Sequence, residues 1–98
     1  MVIWSEPAKA DLRSIHDSIA RDSPHYAKKV AQDFAVKTEV LDELPRVGRV
    51  VAELGNENIR ELSLYSYRIM YEIKASDVIV LAVVHKRMDF QPEMLGEG

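Results

Sequence analysis

The sequence predicts an α+β fold in which a helical hairpin packs on one face of a mainly antiparallel sheet. Three observations predict it: two stretches of helical periodicity in the first half of the chain, three strand-like stretches in the second half, and a short apolar stretch before the first helix. Their order is strand, helix, helix and three strands. We expect one domain over residues 1–98, with a flexible tail at residues 89–98.

Helical periodicity and capping residues predict two amphipathic helices. The first begins after Ser5, a capping residue followed by a proline, and ends near Arg21. The second begins after Ser23, by the same signals, and continues to Leu44, because Pro45 disfavours helical geometry in the residue before it. Apolar residues recur at helical spacing in both: Ala8, Leu12, Ile15 and Ile19 in the first, and Ala27, Val30, Phe34 and Leu41 in the second.

Four stretches have the character of β-strands. A short one is expected at Val2–Trp4, and three longer ones at Ile59–Leu64, Tyr67–Lys74 and Val78–Lys86. The last of them is apolar on both faces, so we expect it to lie inside the sheet rather than at an edge. Strict alternation from this strand onward places five residues on one face: Ile79, Leu81, Val83, His85 and Arg87.

The connections between these elements differ in how well the sequence defines them. Residues 45–58 contain two glycines and are predicted as a loop. The Tyr65-Ser66 connection is short enough for a hairpin but lacks the Gly or Asn that a tight turn prefers, so the register of that hairpin stays open. With helices on one face only, the other face of the sheet is expected to be partly open, and a function would lie there or at the strand ends.

Composition excludes several classes of protein. There is no cysteine, the longest apolar run is Val78–Val84, and the first residues lack the basic and apolar regions of a signal peptide. We therefore expect a cytoplasmic protein. The net charge of −3 argues against a general nucleic-acid binder but allows a local basic patch. The sequence contains no phosphate-binding loop, nucleophile triad or metal-ligand spacing, so no metal and no cofactor are predicted.

Two stretches resemble toxins of the RelE/ParE superfamily. In residues 59–73, Arg-Glu-Leu is followed by Tyr-Arg-Ile-Met-Tyr, which is similar to the second and third strands of these toxins. Residues 83–89, Val-Val-His-Lys-Arg-Met-Asp, resemble the family's closing motif, His-Gly-Arg-Arg-Asp. The opening Trp-Ser and Pro-Ala-Lys-Ala-Asp-Leu also fit. The resemblance implies the predicted element order and a toxin of a type II toxin–antitoxin system, held inactive in a hetero-oligomer with a cognate antitoxin.

The resemblance implies one of two targets. RelE-like members cleave messenger RNA on the ribosome, whereas ParE-like members poison DNA gyrase and are not known as nucleases. RNA cleavage needs a base, an acid and cations that stabilise charge on the phosphate. By their match to the family motifs, four residues would serve in a nuclease: Arg68 as a phosphate clamp, Arg87, Arg60 and His85.

Departures from the family motifs favour the ParE-like interpretation. Met88 replaces the second arginine of the closing motif and Lys86 replaces its glycine. Residues 89–98 contain no tyrosine or histidine of the kind nuclease members use, and they carry Glu93 and Glu97. We therefore predict a protein-binding inhibitor of DNA gyrase rather than an enzyme. The alternatives are a ribosome-dependent endoribonuclease and an activity-decayed toxin that only binds its antitoxin.

Target or antitoxin binding is expected at basic residues of the motifs and at apolar residues off the main helical stripe. The two valines of this set could seat an amphipathic helix, and edge strands could accept an added strand. The expected binding residues are Arg60, Arg68, Arg87, Lys86, Val36 and Val40.

Each candidate also has a structural interpretation. Arg68 could pair with Glu61 or Glu72 on the sheet surface. A histidine that ends an apolar strand, as His85 does, is more often a hydrogen-bonded structural group. Three aromatic residues are expected in or beside the core: Trp4, Tyr67 and Tyr71.

Overall fold

A computed structural model describes residues 1–95, which form a five-stranded sheet with two helices packed against it. The strand order is β1-β5-β4-β3-β2; β1 is parallel to β5, and the other neighbours are antiparallel. The predicted fold class is confirmed, and β5 lies inside the sheet as expected. The elements are β1 (Val2–Trp4), α1 (Glu6–Ala20), α2 (Pro24–Glu39), β2 (Arg49–Val50), β3 (Ile59–Leu64), β4 (Tyr67–Lys74) and β5 (Asp77–His85), with 3₁₀ turns at Val40–Asp42 and Pro92–Leu95.

Both helices begin where their capping serines predict. The hydroxyl oxygen of Ser5 accepts the Ala8 N–H at 3.2 Å, and that of Ser23 accepts the Tyr26 N–H at 3.2 Å. The second helix ends at Glu39, so the predicted end was wrong; the chain continues in a tighter 3₁₀ turn, which is common at helix C-termini. No helix within residues 1–95 is long and apolar enough to cross a membrane.

The two-residue strand β2 lies inside the segment that the sequence predicts as a loop. It pairs Arg49 with Glu61 and Val50 with Arg60, and two residues are too few to show a periodicity. The residue before it, Gly48, is buried, and a Cβ there would lie 2.6 Å from both the Glu61 carbonyl oxygen and the Tyr71 hydroxyl. Only glycine fits this close approach.

A bulge between β4 and β5 changes which residues face the helices. Met70 lies opposite Ala82 and Tyr71 opposite Val80, so Leu81 is an extra residue on β5. Val80 and Val83 consequently pack in the same cluster beneath the helices. The expectation that Ile79, Leu81, Val83, His85 and Arg87 share one face was wrong, because the bulge shifts the alternation by one residue.

The core has a layer on each face of the sheet. The helix-covered face holds Ala8, Ile15, Val30, Phe34, Ile69, Val80 and Val83, with Trp4 and Tyr67 packed against them. The opposite face holds Val51, Met70, Ala82, Val84 and Phe90, with Leu54, Ile59 and Leu95. The loop after β2 and the segment after β5 therefore cover part of this opposite face. In the predicted tail, Phe90 is buried, and residues 96–98 lie outside the described residues.

Side chains at the start of α1 satisfy the edge of β5 that β1 leaves uncovered. Strand β1 pairs only with the first part of β5, up to Val80. Beyond it, the Ser5 hydroxyl donates to the Leu81 carbonyl oxygen at 3.3 Å, and the Val83 N–H donates to the Asp11 carboxylate at 3.0 Å. A backbone donor away from water requires an acceptor, and here a polar side chain of α1 takes the place of a strand partner.

Candidate functional site

Arg68 lies on β4, on the face opposite the helices, and its side chain is only 13% exposed. Its Nε and Nη2 donate to the two carboxylate oxygens of Glu61 at 3.0 and 2.8 Å. Its Nη1 and Nη2 donate to the two carboxylate oxygens of Glu53 at 2.9 Å each. The Phe90 ring lies 5.5 Å from the guanidinium carbon. The expected phosphate clamp therefore already holds two carboxylates. One of them, Glu61, is among the two partners that its structural interpretation names, whereas the other, Glu72, lies near Lys74.

The four charged residues Arg49, Glu53, Glu61 and Arg68 form a unit that we call the Arg68 cluster. The Glu61 side chain is 2% exposed, and Arg49 Nη2 approaches its Oε1 at 3.7 Å. Hydrogen bonds from Arg68 lower the pKa of Glu53 to about 2, and the two carboxylates raise the pKa of Arg68. Two arginines and two glutamates cancel in formal charge, so the cluster presents no net charge to an incoming phosphate.

A wide concavity of about 920 Å³ lies over the Arg68 cluster. Its wall includes the cluster itself and Lys86, which follows β5. Two of the expected binding residues, Arg68 and Lys86, therefore do line one surface, together with the two glutamates that pair with Arg68.

Arg60 lies on the other side of the sheet from Arg68. Alternation along β3 places it with Leu62 and Leu64, which pack on the helix-covered face. Its guanidinium donates to three carbonyl oxygens: those of Gly48 at 2.9 Å, Glu57 at 2.9 Å and Arg46 at 3.3 Å. Arg60 thus ties the loops on either side of β2 together, and it does not converge with Arg68.

His85 ends β5 on the helix-covered face. Its ring packs edge-on against Tyr67 at 5.4 Å between centroids, and its Nδ1 accepts the Arg87 N–H at 3.0 Å. The side chains of Lys86 and Arg87 are exposed just beyond it. The four candidate nuclease residues are therefore divided between the two faces and one strand end, rather than gathered around one point.

A groove of about 590 Å³ runs between the two helices and is lined by residues that the sequence analysis did not select. Its floor is apolar, formed by Trp4, Leu12, Ala31 and Ala35, and its rim on α1 is basic, formed by Lys9, Arg13 and His16. The alanines at i and i+4 leave room between the helices, and the three rim residues follow one helical stripe. Those two spacings are visible in the sequence and were the available signals. We call this surface the helix groove.

The two valines expected at a binding surface are exposed but lie outside the helix groove. Val36 is 64% exposed on α2, and Val40 is 40% exposed in the 3₁₀ turn that follows. Leu44 and Val47 are also exposed further along the chain. Within residues 1–95, no group of three or more His, Asp or Glu side chains is placed to hold a metal ion.

The chain also matches a known protein family in sequence. A family model described as the ParE toxin of the type II toxin–antitoxin system parDE matches residues 2–90. The chain belongs to the ParE toxin family. The matched residues include both helices and all five strands, and therefore every residue of the helix groove and of the Arg68 cluster.

A solved structure supports the fold of this ParE-family toxin. The chain resembles a structure titled as the chromosomal ParDE toxin–antitoxin system from P. aeruginosa, with a TM-score of 0.72 and 22% sequence identity. The similarity covers 86% of this chain and 92% of the other. No curated protein matches the chain in sequence.

Proposed function

We propose that this ParE-family toxin inhibits DNA gyrase by binding it, in the cytoplasm, and that a cognate antitoxin neutralises it. The observation that carries the choice between targets is the pairing of Arg68 with Glu53 and Glu61. An arginine held on two edges by carboxylates is a structural ion pair, not an open clamp for a phosphate.

The geometry of the other candidates supports a toxin that binds protein over one that cleaves RNA. Arg60 is directed to backbone carbonyl groups on the helix-covered side, and His85 faces the helices. A ribonuclease would need its base, its acid and its cations within reach of one phosphate. The net charge of −3 points the same way, since ribosomal RNA is densely negative and repels an acidic protein.

The helix groove supports an antitoxin contact of stated chemistry. Its apolar floor and basic rim complement an amphipathic helix with an acidic flank, which is a common way for a helix to bind a groove. Of the rim residues, Arg13 has no ion-pair partner among residues 1–95, whereas Lys9 contacts Glu6 at 3.4 Å. The proposed antitoxin would pair an acid with Arg13.

Expression of the chain without antitoxin tests the proposed target. We expect growth arrest with filamentous cells and DNA damage, because blocked gyrase stalls replication. Immediate arrest of translation with cut messages would instead support the ribosomal nuclease. Unaffected growth, with soluble protein confirmed, would support the activity-decayed toxin and contradict the proposal.

A glutamate placed in the helix groove tests the antitoxin contact. Ala35→Glu puts a charge on the apolar floor, so the antitoxin should no longer relieve growth arrest when both proteins are expressed. Ala10→Glu is the matched control, since Ala10 is exposed on α1 and does not line the groove. Relief of growth arrest in both variants would contradict the proposed contact.

A further inference from the structure

A small cleft lies where the end of α1, the start of α2, the β3–β4 turn and the end of β5 meet. Its volume is about 230 Å³. Ile19 and Val30 form an apolar base, and aromatic rings form the walls: Tyr26, Tyr65, Tyr67 and His85. We call it the aromatic cleft. It shares no lining residue with the helix groove.

Two of the walls are exposed aromatic side chains. Tyr26 is 48% exposed and Tyr65 is 46% exposed, although burial of a tyrosine ring is favourable. Tyrosines that stand in solvent around an apolar pocket are typical of the residues that dominate binding energy at protein interfaces. The wall formed by Tyr67 is held in place, because its ring packs against His85 on one side and Phe34 on the other.

Tyr65 occupies a backbone position that disfavours it. Its φ is +54°, in the left-handed region where a side chain costs free energy. The β4–β5 turn has the same conformation with a small residue, Ala75, at φ +49°. The turn therefore does not require an aromatic residue, and the ring of Tyr65 needs another reason to be there.

Polar contacts hold the Tyr65 ring at the mouth of the cleft. Its hydroxyl donates to the Asp33 carboxylate, and Lys29 Nζ contacts the same carboxylate at 3.1 Å. This pairing also neutralises the Asp33 carboxylate beside the cleft. A wall fixed in this way loses little side-chain entropy when a partner binds.

The opposite rim carries donors and positive charge. Because His85 Nδ1 accepts the Arg87 N–H at 3.0 Å, the neutral ring carries its proton on Nε2, which remains a donor. Arg87 follows close behind it, is exposed, and forms no ion pair within residues 1–95. A carboxylate on a partner would complement this rim.

We propose that the aromatic cleft is the surface with which the toxin grips its protein target, and that it takes one leucine- or phenyl-sized side chain that is next to an acidic residue. The inference rests on the proposed function, because it assumes that the toxin acts by binding a protein. The size fits, since an apolar cavity of about 150 Å³ accepts benzene. The acidic neighbour would pair with the rim formed by His85 and Arg87.

The substitution Tyr65→Gly tests the proposal. Glycine adopts a positive φ without strain, so the turn is kept while one wall of the cleft is removed. We expect the variant to fold, to bind antitoxin as the wild type does, and to arrest growth at least about tenfold less effectively at equal expression. Ala75→Gly is the matched control, in the other positive-φ turn, and should arrest growth as the wild type does.

Tyr26→Ser gives a second variant in case Tyr65→Gly affects folding, since Tyr26 is half-exposed in the first turn of α2. Wild-type growth arrest by either folded variant would overturn the proposal. Growth arrest by the wild type that requires Tyr65 but leaves purified gyrase active would retain the cleft and refute gyrase as the target. A wild-type chain that does not arrest growth would overturn both.

Discussion

At the scale of single residues, the account depends on what Arg68 contacts. The sequence suggests Glu61 or Glu72 as a partner, and the structure pairs Arg68 with Glu61 on the neighbouring strand. The sequence offers no sign of Glu53, which lies in an irregular loop where no periodicity relates sequence position to space. Whether an arginine is free for a ligand or held by carboxylates is thus decided by loop geometry, which the sequence pattern does not contain.

Removing the Arg68 side chain should destabilise the fold. In Arg68→Ala the buried Glu61 carboxylate loses both hydrogen bonds, and breaking a buried ion pair in this way costs about 3–5 kcal/mol. Urea denaturation followed by circular dichroism measures this free energy of unfolding.

In the exposed control Arg87→Ala, stability should stay within about 0.5 kcal/mol, while toxicity falls because Arg87 lies at the rim of the aromatic cleft. Equal stability of the two variants would contradict the structural role of Arg68, and full toxicity of Arg87→Ala would exclude Arg87 from target binding.

The Glu53–Arg68 pair should make stability depend on acid pH. The pKa of Glu53 falls from 4.5 in the unfolded chain to about 2 in the fold. The contribution of the ionised carboxylate to the free energy of unfolding is therefore complete above about pH 5 and is lost as the pH falls through 2. Thermal unfolding between pH 2 and 6 should show the wild type losing its advantage over Glu53→Gln in this window. Glu57→Gln, exposed on the same loop, is the control. An advantage that is as large at pH 2 as at pH 6 would contradict the pairing.

At the scale of elements, the sequence predicts what local signals encode. Ser5 and Ser23 define both helix starts, and the alternation along β4 defines that strand. The bulge at Leu81 and the strand β2 escape prediction because both arise from pairing across the sheet, not from the local pattern. The early end of α2 escapes too, since Pro45 limits how far the helix can extend but does not require it to continue so far.

Asp11 should contribute to stability through the edge of β5. In Asp11→Ala the Val83 N–H loses its acceptor, and an unsatisfied, partly buried donor costs about 1–3 kcal/mol. Urea denaturation gives the loss, and hydrogen exchange should show the Val83 amide exchanging faster. Asp17→Ala, an exposed aspartate on the same helix, should change neither. Unchanged exchange at Val83 in Asp11→Ala would show that the helix does not satisfy this edge.

At the scale of the whole molecule, the sequence predicts the architecture and the family but not the surfaces. The helix groove and the aromatic cleft each combine residues from three or more elements, so neither follows from one stretch of sequence. Val36 and Val40 were selected because they leave the apolar stripe, and they are indeed exposed, yet neither lines the helix groove. Their role in partner binding stays a prediction.

The central claim, that this ParE-family toxin inhibits gyrase by binding it, is tested most directly by a supercoiling assay with purified proteins. Relaxed plasmid, gyrase and ATP are mixed with increasing amounts of the toxin. The account predicts that supercoiling stops as the toxin is titrated in, and that adding the antitoxin restores it. Undiminished supercoiling at a large molar excess of folded toxin would contradict it.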